Sequence, residues 1–457
     1  MQECIEKKHL TEYSIGRAIM IVAVPAVFSF LFQILFELID TFWLDKLNYE
    51  DVFASMGTAS FITWSLYALM LFVTAGVNSL VAQKAGAKDK KSYHKIAWEG
   101  MFLSVIVSII ITIIMLFSYE TIFRLIGLKG KVFDGACAYL RIMIWGYIFI
   151  FLYNYTGIIF NSHGDTKTSM IIGFVCLTIN IVLDPFLILG LWGLPKLGIE
   201  GAAYATVISQ LAGFILRYFY LIKNDYLSRV PAKPYITWVN TVLIMKIGVP
   251  QAATHWVFSM VYPVLSFYLT KLNNIDALGA LSICHRLEGI PYFIAVSLSI
   301  AATTLGGQYL GQNDLRKAIK AINRAIIYGS FCLIIASYIF IFHPEALLSF
   351  IISAPDIIRE GAIYLRIIGY FELFLAWEII FEGGFTGLGL TLYPMYFSIP
   401  LTLSRIPLAY YFAFTLGYGV VGIWWAVSIT TLLKGVCIGI IFWSKIWKKK
   451  LKYLELN

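Results

Sequence analysis

Apolar runs about as long as a bilayer crossing recur along the whole chain, separated by short polar stretches. A helix of about 20 apolar residues crosses roughly 30 Å of hydrocarbon. Residues 52–83, 100–119, 142–162, 247–270 and 289–313 contain no Asp, Glu, Lys or Arg at all. With a few intramembrane charges allowed, the pattern predicts twelve spans near 17–44, 52–82, 96–118, 133–160, 168–190, 201–222, 240–269, 277–305, 320–342, 357–386, 393–416 and 421–444. The expected fold class is an all-α polytopic membrane protein.

The loops are unequal in charge. On the side of the termini lie 22 Lys and Arg, from Lys7, Lys8 and Arg17 to the Lys448-Lys449-Lys450 run. Only 7 lie on the other side, among them Lys46, Arg124 and Lys271. Positive loops face the cytoplasm, so both termini are expected there, in a multi-pass protein of the cell membrane. No small-residue cleavage site follows the first apolar run, which is expected to be retained.

The chain also repeats. A shift of 225 residues brings Pro25 onto Pro250, Lys46-Leu47-Asn48 onto Lys271-Leu272-Asn273, Gln83, Gly86 and Asp89 onto Gln308, Gly311 and Asp314, and Tyr139-Leu140-Arg141-Ile142 onto Tyr364-Leu365-Arg366-Ile367. After a four-residue gap, Gly198 and Gly201 meet Gly419 and Gly422. Six spans per repeat mean that both enter from one side, with a pseudo-twofold axis along the membrane normal. The expected organisation is two six-helix bundles, 1–222 and 239–457, joined by a cytoplasmic linker at 223–238 that holds Pro231 and Pro234.

Composition narrows the function. Apolar residues make up 60% and charged residues 13%, where soluble domains carry about 25% charged. The net charge of +9 therefore reports topology and not a nucleic-acid partner. Six cysteines form no CxxC pair, which argues against a disulfide framework or zinc site. No GxxxxGK[ST] pattern is present, so neither an ATP site nor another cofactor is expected, and any energy must come from an ion gradient.

Intramembrane acids are costly and usually functional. In the first half, Asp40 and Asp184 fall in the outer parts of spans 1 and 5, with Asn180 one turn below Asp184. Counting helix rise brings Tyr139 and Thr206 to similar depth, with Asn154 farther in. Two carboxylates with amide and hydroxyl oxygens suit a proton or Na⁺, and Asp40, Asp184, Asn180 and Thr206 are the candidate Na⁺ ligands. The repeat replaces Asp40 by Leu265, Asp184 by Ala409 and Asn180 by Arg405, so the scaffold does not demand the pair. The alternative is structural: Asp40 interfacial, and Asp184 serving backbone freed at Pro185. Glu37, one turn before Asp40, stands between these readings.

In the second half, Arg286, Glu288, Glu372 and Arg405 reach mid-depth, and opposite charges at one depth are expected to pair. Glu378 and Glu382 either face a cationic substrate or second proton site, or partner Arg286 or Lys434. His285 is expected to pack or hydrogen-bond and not to relay protons.

The pattern from Pro25 to Asp40-Thr41, the Val81-Ala82-Gln83 stretch, Asn161 to Gly164-Asp165-Thr166, Asn180-Ile181-Val182-Leu183-Asp184-Pro185 and Gly198-Ile199-Glu200-Gly201-Ala202-Ala203 together resemble the multidrug and toxic compound extrusion (MATE) family of the MOP superfamily, in its DinF and archaeal-type branch. The resemblance covers about 15–445. It implies a V-shaped, twelve-helix antiporter, monomeric and not an enzyme, that exports small organic cations against inward H⁺ or Na⁺. It also implies that Asp40, Asp184, Asn180, Tyr139, Asn154 and Thr206 line an ion site. NorM-type members carry a functional Glu in span 7, where this chain reads Phe258-Ser259-Met260. The rival reading is a lipid-linked oligosaccharide flippase of the same superfamily, using Arg286, Arg405 and Lys246 for pyrophosphate.

Overall fold

The structure, a computed structural model, describes residues 9–45, 51–193, 195–229, 236–272, 275–351 and 354–449, without the side chains of 37, 40, 41, 45, 51–54, 61, 275, 276, 278, 279 and 282. The described residues form fourteen α-helices: α1 Ile15–Asp45, α2 Asp51–Gly86, α3 Lys90–Leu125, α4 Gly130–His163, α5 Thr166–Leu189, α6 Ile199–Lys223, α7 Trp238–Lys271, α8 Ile275–Gly311, α9 Leu315–Phe342, α10 Pro344–Ser349, α11 Pro355–Gly369, α12 Glu372–Gly387, α13 Leu392–Tyr410 and α14 Gly419–Ser444. They supply the twelve spans of two six-helix bundles. The starts of α3 and α9 are set by side-chain caps: Asp89 accepts from Ser92 N–H at 3.1 Å and Asp314 from Lys317 N–H at 2.9 Å. These two aspartates are repeat mates. Hydrogen bonds from Ser92 in one case and from Lys317 in the other hold both carboxyls below the usual carboxylate range.

The predicted span 357–386 is two helices, broken at Tyr370-Phe371. Its repeat mate α4 runs unbroken through Gly146, which sits hard against Val207 of α6. Phe371 stands at that register position and cannot approach so closely. Its ring packs edge-on against Trp425, centroids 5.9 Å apart, and the helix restarts at Glu372. Trp192 is exposed, whereas Trp447 is fully buried, with its indole N–H donating to Phe442 O.

The chain divides into two compact units, Val24–Val249 and Met1–Ala23 with Pro250–Asn457, called the N-lobe and C-lobe below. The division falls inside α1 and α7, beside Pro25 and at Pro250, and not in the polar 223–238 stretch. The start of α7 explains this. A Cβ on Gly76 would come within 2.2 Å of Ile244 O, and one on Gly248 within 2.0 Å of Phe72 O, so α2 and α7 meet backbone to backbone. The fully buried Glu99 of α3 then accepts from Thr237 N–H (2.9 Å), Asn240 Nδ2 (3.0 Å) and Thr241 Oγ1 (2.7 Å). On α3 again, Trp98 Nε1 donates to Ser228 O at 3.2 Å, and Lys90 pairs with Asp225 at 2.7 Å. Both flanks of the polar stretch are thus fastened to one N-lobe helix.

The C-lobe has a similar close crossing. Gly383 and Gly387 of α12 lie one turn apart and face Ser299 and Thr303 of α8, likewise one turn apart; Cβ atoms on the glycines would fall 2.1 Å from Ser299 Oγ and 2.4 Å from Thr303 O. Small residues are what such membrane-helix contacts require, since lipid offers no hydrophobic drive for association. Thr303 Oγ1 adds a 2.8 Å bond to Gly383 O.

Candidate ion and substrate sites

In the N-lobe, Asn180 and Asp184 of α5 are fully buried. Their spacing of four puts them on one face, and Asn180 Nδ2 donates to Asp184 Oδ1 at 3.3 Å. Asn180 Oδ1 is buried with no hydrogen bond among the described residues. Thr206 is buried on α6, its hydroxyl bonded to Ala202 O at 3.0 Å. At 1.5 Å per residue from the helix ends on the side of the termini, Asp184 and Thr206 both stand about 26–27 Å along and Asn180 about 21 Å. Tyr139, buried on α4, stands about 36 Å along and Asn154 about 14 Å. The set is therefore staggered over several turns: Asp184 and Thr206 share a level, Asn180 lies one turn below them, Tyr139 lies above and Asn154 farther below. Asn154 bonds Ile150 O in its own helix at 2.9 Å. The side chains of Asp40 and Glu37 lie outside the described residues.

The C-lobe has the opposite chemistry at the matching positions. Arg405, mate of Asn180, is buried and donates from Nε to Thr430 Oγ1 and from Nη2 to Thr431 Oγ1, each at 2.8 Å. Lys434 of α14 and Glu378 of α12 form a buried ion pair at 2.5 Å. The Phe258 ring faces both cations, 5.5 Å from Arg405 and 5.6 Å from Lys434. One turn along α12, Glu382 is buried with no side-chain hydrogen bond or ion pair among the described residues. Thr386, a further turn on, donates to Gln251 Oε1 at 3.2 Å, and Gln251 in turn meets His255 at 3.3 Å.

The expected pairing among Arg286, Glu288, Glu372 and Arg405 does not occur. Arg286 and Glu288 are two residues apart on α8, hence on opposite faces: Arg286 is exposed, while Glu288 turns inward. There Tyr364 OH donates to it at 2.9 Å, and His285 Nδ1 lies 3.4 Å away. Both oxygens of the buried Glu372 lack a hydrogen bond among the described residues. Gln251, His255, Thr430 and Thr431 carry no fixed charge, so the search for intramembrane charges passes over them. Among the described residues no three His, Cys, Asp or Glu side chains gather as a metal site.

Two related bundles of membrane-spanning helices, each with buried ionisable groups in its interior, define a membrane transporter built from repeats. The sequence model of the MatE family matches residues 25–186 and again 250–411, the same 225-residue offset as the internal repeat. The chain belongs to that family, whose members are transporters and not enzymes. It is 27% identical to a probable multidrug resistance protein NorM of Thermotoga maritima, covering 95% of this chain and 94% of that one. It is 25% identical to the probable multidrug resistance protein YoeA of Bacillus subtilis, covering 98% of each. Among solved structures, the outward-facing conformation of a multidrug resistance MATE family transporter of the MOP superfamily superposes with a TM-score of 0.87 at 24% identity, over 97% of this chain and 98% of that one.

Proposed function

We propose that this chain is a secondary active multidrug efflux antiporter. It exports small organic compounds, cationic ones foremost, in exchange for H⁺ or Na⁺ by alternating access. The observation that carries the reading is the buried Asp184 beside Asn180, whose Oδ1 has no donor among the described residues. A carboxylate there takes up a proton, and with the Asn180 and Thr206 oxygens it offers hard ligands for Na⁺; Asp40 completes the set. Tyr139 and Asn154, at other depths, are assigned to the path leading to and from it.

The names borne by the relatives support drug-like substrates. In the C-lobe, Glu382 and Glu372 are acids with no basic partner in contact among the described residues, and in this reading they serve a second ion or the substrate. Glu378 and Arg405 are engaged by Lys434 and by Thr430 and Thr431, so they hold the bundle together. That engagement also weighs against a flippase, as does the exposure of Arg286 and Lys246. Both termini are placed in the cytoplasm, and the protein works as a monomer in the cell membrane.

The test is efflux of a cationic dye from proteoliposomes under separately imposed proton and Na⁺ gradients. Asp184→Asn and Asp40→Asn should each abolish gradient-driven transport while the protein stays monodisperse. Wild-type transport by both would refute the proposal.

A further inference from the structure

A groove on the N-lobe surface opens where its repeat mate is closed. Arg141, Trp145, Gly146 and Phe149 of α4, with Tyr204 and Val207 of α6, line an open depression of about 530 Å³. At its mouth Arg141 and Glu200 stand 3.7 Å apart, 57% and 35% exposed. That is too far for a hydrogen bond, so each keeps capacity for a ligand. Below them Trp145 is 65% exposed and Tyr204 43%. Arg141 lies about 33 Å along α4 from His163, and Glu200 about 34 Å along α6 from Lys223. The hydrocarbon core is about 30 Å thick, so both charges sit at headgroup level on the side opposite the termini. The two aromatics stand about a turn deeper, where aromatic belts meet the acyl boundary.

The other repeat supplies the control. In register, Arg366 stands for Arg141, Phe371 for Gly146 and Trp425 for Tyr204. Arg366 is paired with Glu345 at 2.5 Å, and the Phe371 ring packs on Trp425. The N-lobe keeps the arginine and the aromatic wall, but leaves the guanidinium loosely paired and puts glycine where the plug would be.

We infer that this groove holds one phospholipid with a zwitterionic, primary-ammonium headgroup from the leaflet opposite the termini. Its phosphate lies on Arg141, its ammonium on Glu200, and its acyl chains run along Trp145, Phe149 and Tyr204. Glu200 disfavours a purely anionic headgroup by like-charge repulsion. A quaternary ammonium cannot donate the charge-assisted hydrogen bond that Glu200 accepts. The inference rests on the chain spanning a membrane and not on what it transports.

Native mass spectrometry of the delipidated full chain, titrated with phosphatidylethanolamine, phosphatidylcholine or phosphatidylglycerol, tests it. Wild type should retain one phosphatidylethanolamine about tenfold more tightly than either other lipid. Arg141→Gln should lose that preference by weakening retention about tenfold, and Glu200→Gln by letting phosphatidylcholine bind equally. Arg366→Gln should change nothing. Arg141 and Arg366 are exposed and Glu200 is half-buried, and melting temperatures equal to wild type confirm intact folding; Arg141→Lys, which keeps the charge, serves if Arg141→Gln misfolds. Preference for phosphatidylglycerol in wild type, or unchanged retention in a folded Arg141→Gln, overturns the assignment, as does an equal loss in Arg366→Gln.

Discussion

Lys434 and Glu378 carry the sharpest test of how the C-lobe is held. Nζ and Oε1 lie 2.5 Å apart, with side chains 1% and 10% exposed. Glu378 Oε2 has no hydrogen bond among the described residues, so the pair depends on that short contact. Unit charges at this distance attract by about 7 kcal/mol at an effective dielectric of about 20. Burial strips both of hydration, and the net worth of the pair is far smaller. Removing one partner is different, because it strands the other without its counter-charge, at a cost of about 3–5 kcal/mol. In a unit of this size each kcal/mol moves the midpoint by about 2–4 °C. Lys434→Met should therefore lower the apparent melting temperature by roughly 6–20 °C. Adding Glu378→Gln should restore most of the loss, since replacing both members of a buried pair is often close to neutral. The assay is loss of the monodisperse size-exclusion peak after heating, for wild type, both single variants and the double. A Lys434→Met midpoint within about 2 °C of wild type, or a double variant no better than the single, would refute the reasoning.

Glu99→Ala removes the carboxylate that accepts three hydrogen bonds from Thr237, Asn240 and Thr241, should cost about 2–4 kcal/mol, and should speed hydrogen exchange at 236–245; unchanged exchange there counts against the fastening role. Gly383→Val forces a side chain into Ser299, 2.1 Å from its Cβ position, and should cost at least about 1–3 kcal/mol. Gly57→Ala, with nothing within 4 Å, should be neutral or slightly stabilising, and equal yields of the two folded variants would contradict the packing. Asp314→Ala should cost about 1 kcal/mol at neutral pH through the lost cap. Because the folded carboxyl titrates below its ordinary value of 3.8, that contribution is present above 3.8 and fades as pH falls through the folded value. Unfolding curves of wild type and variant should converge in acid, and a gap persisting well below that range would show that the cap is not electrostatic.

The spans were legible because a hydrocarbon slab leaves a helix little choice of length or composition. The repeat was legible because paired positions kept identity through Asp89 and Asp314 and through the Tyr-Leu-Arg-Ile runs. The break at Tyr370-Phe371 was not, since no proline marks it and its cause is the fit of a ring against Trp425. The lobe division was hidden for a similar reason. Polar composition points to 223–238, whereas Gly76, Gly248 and Glu99 bind α7 to partners far away in sequence. At Arg286 depth along α8 is not enough, because helical phase turns it away from Glu288 and leaves it exposed. Lys434 obeys the same intramembrane rule as the acids, since a buried base is as costly without a partner.

The division of α1 and α7 has a consequence for how such a chain came to exist. Residues up to Ala23 belong with Pro250–Asn457, and those up to Val249 belong with Val24 onward. Each repeat thus lends the opening segment of its first helix to the bundle formed by the other. A gene encoding one repeat alone would make a protein whose leading arm has no seat within its own bundle, and two copies would have to trade arms as domain-swapped dimers do. Cutting the chain at 230–235 would yield fragments in the same condition, each complete only in the presence of the other.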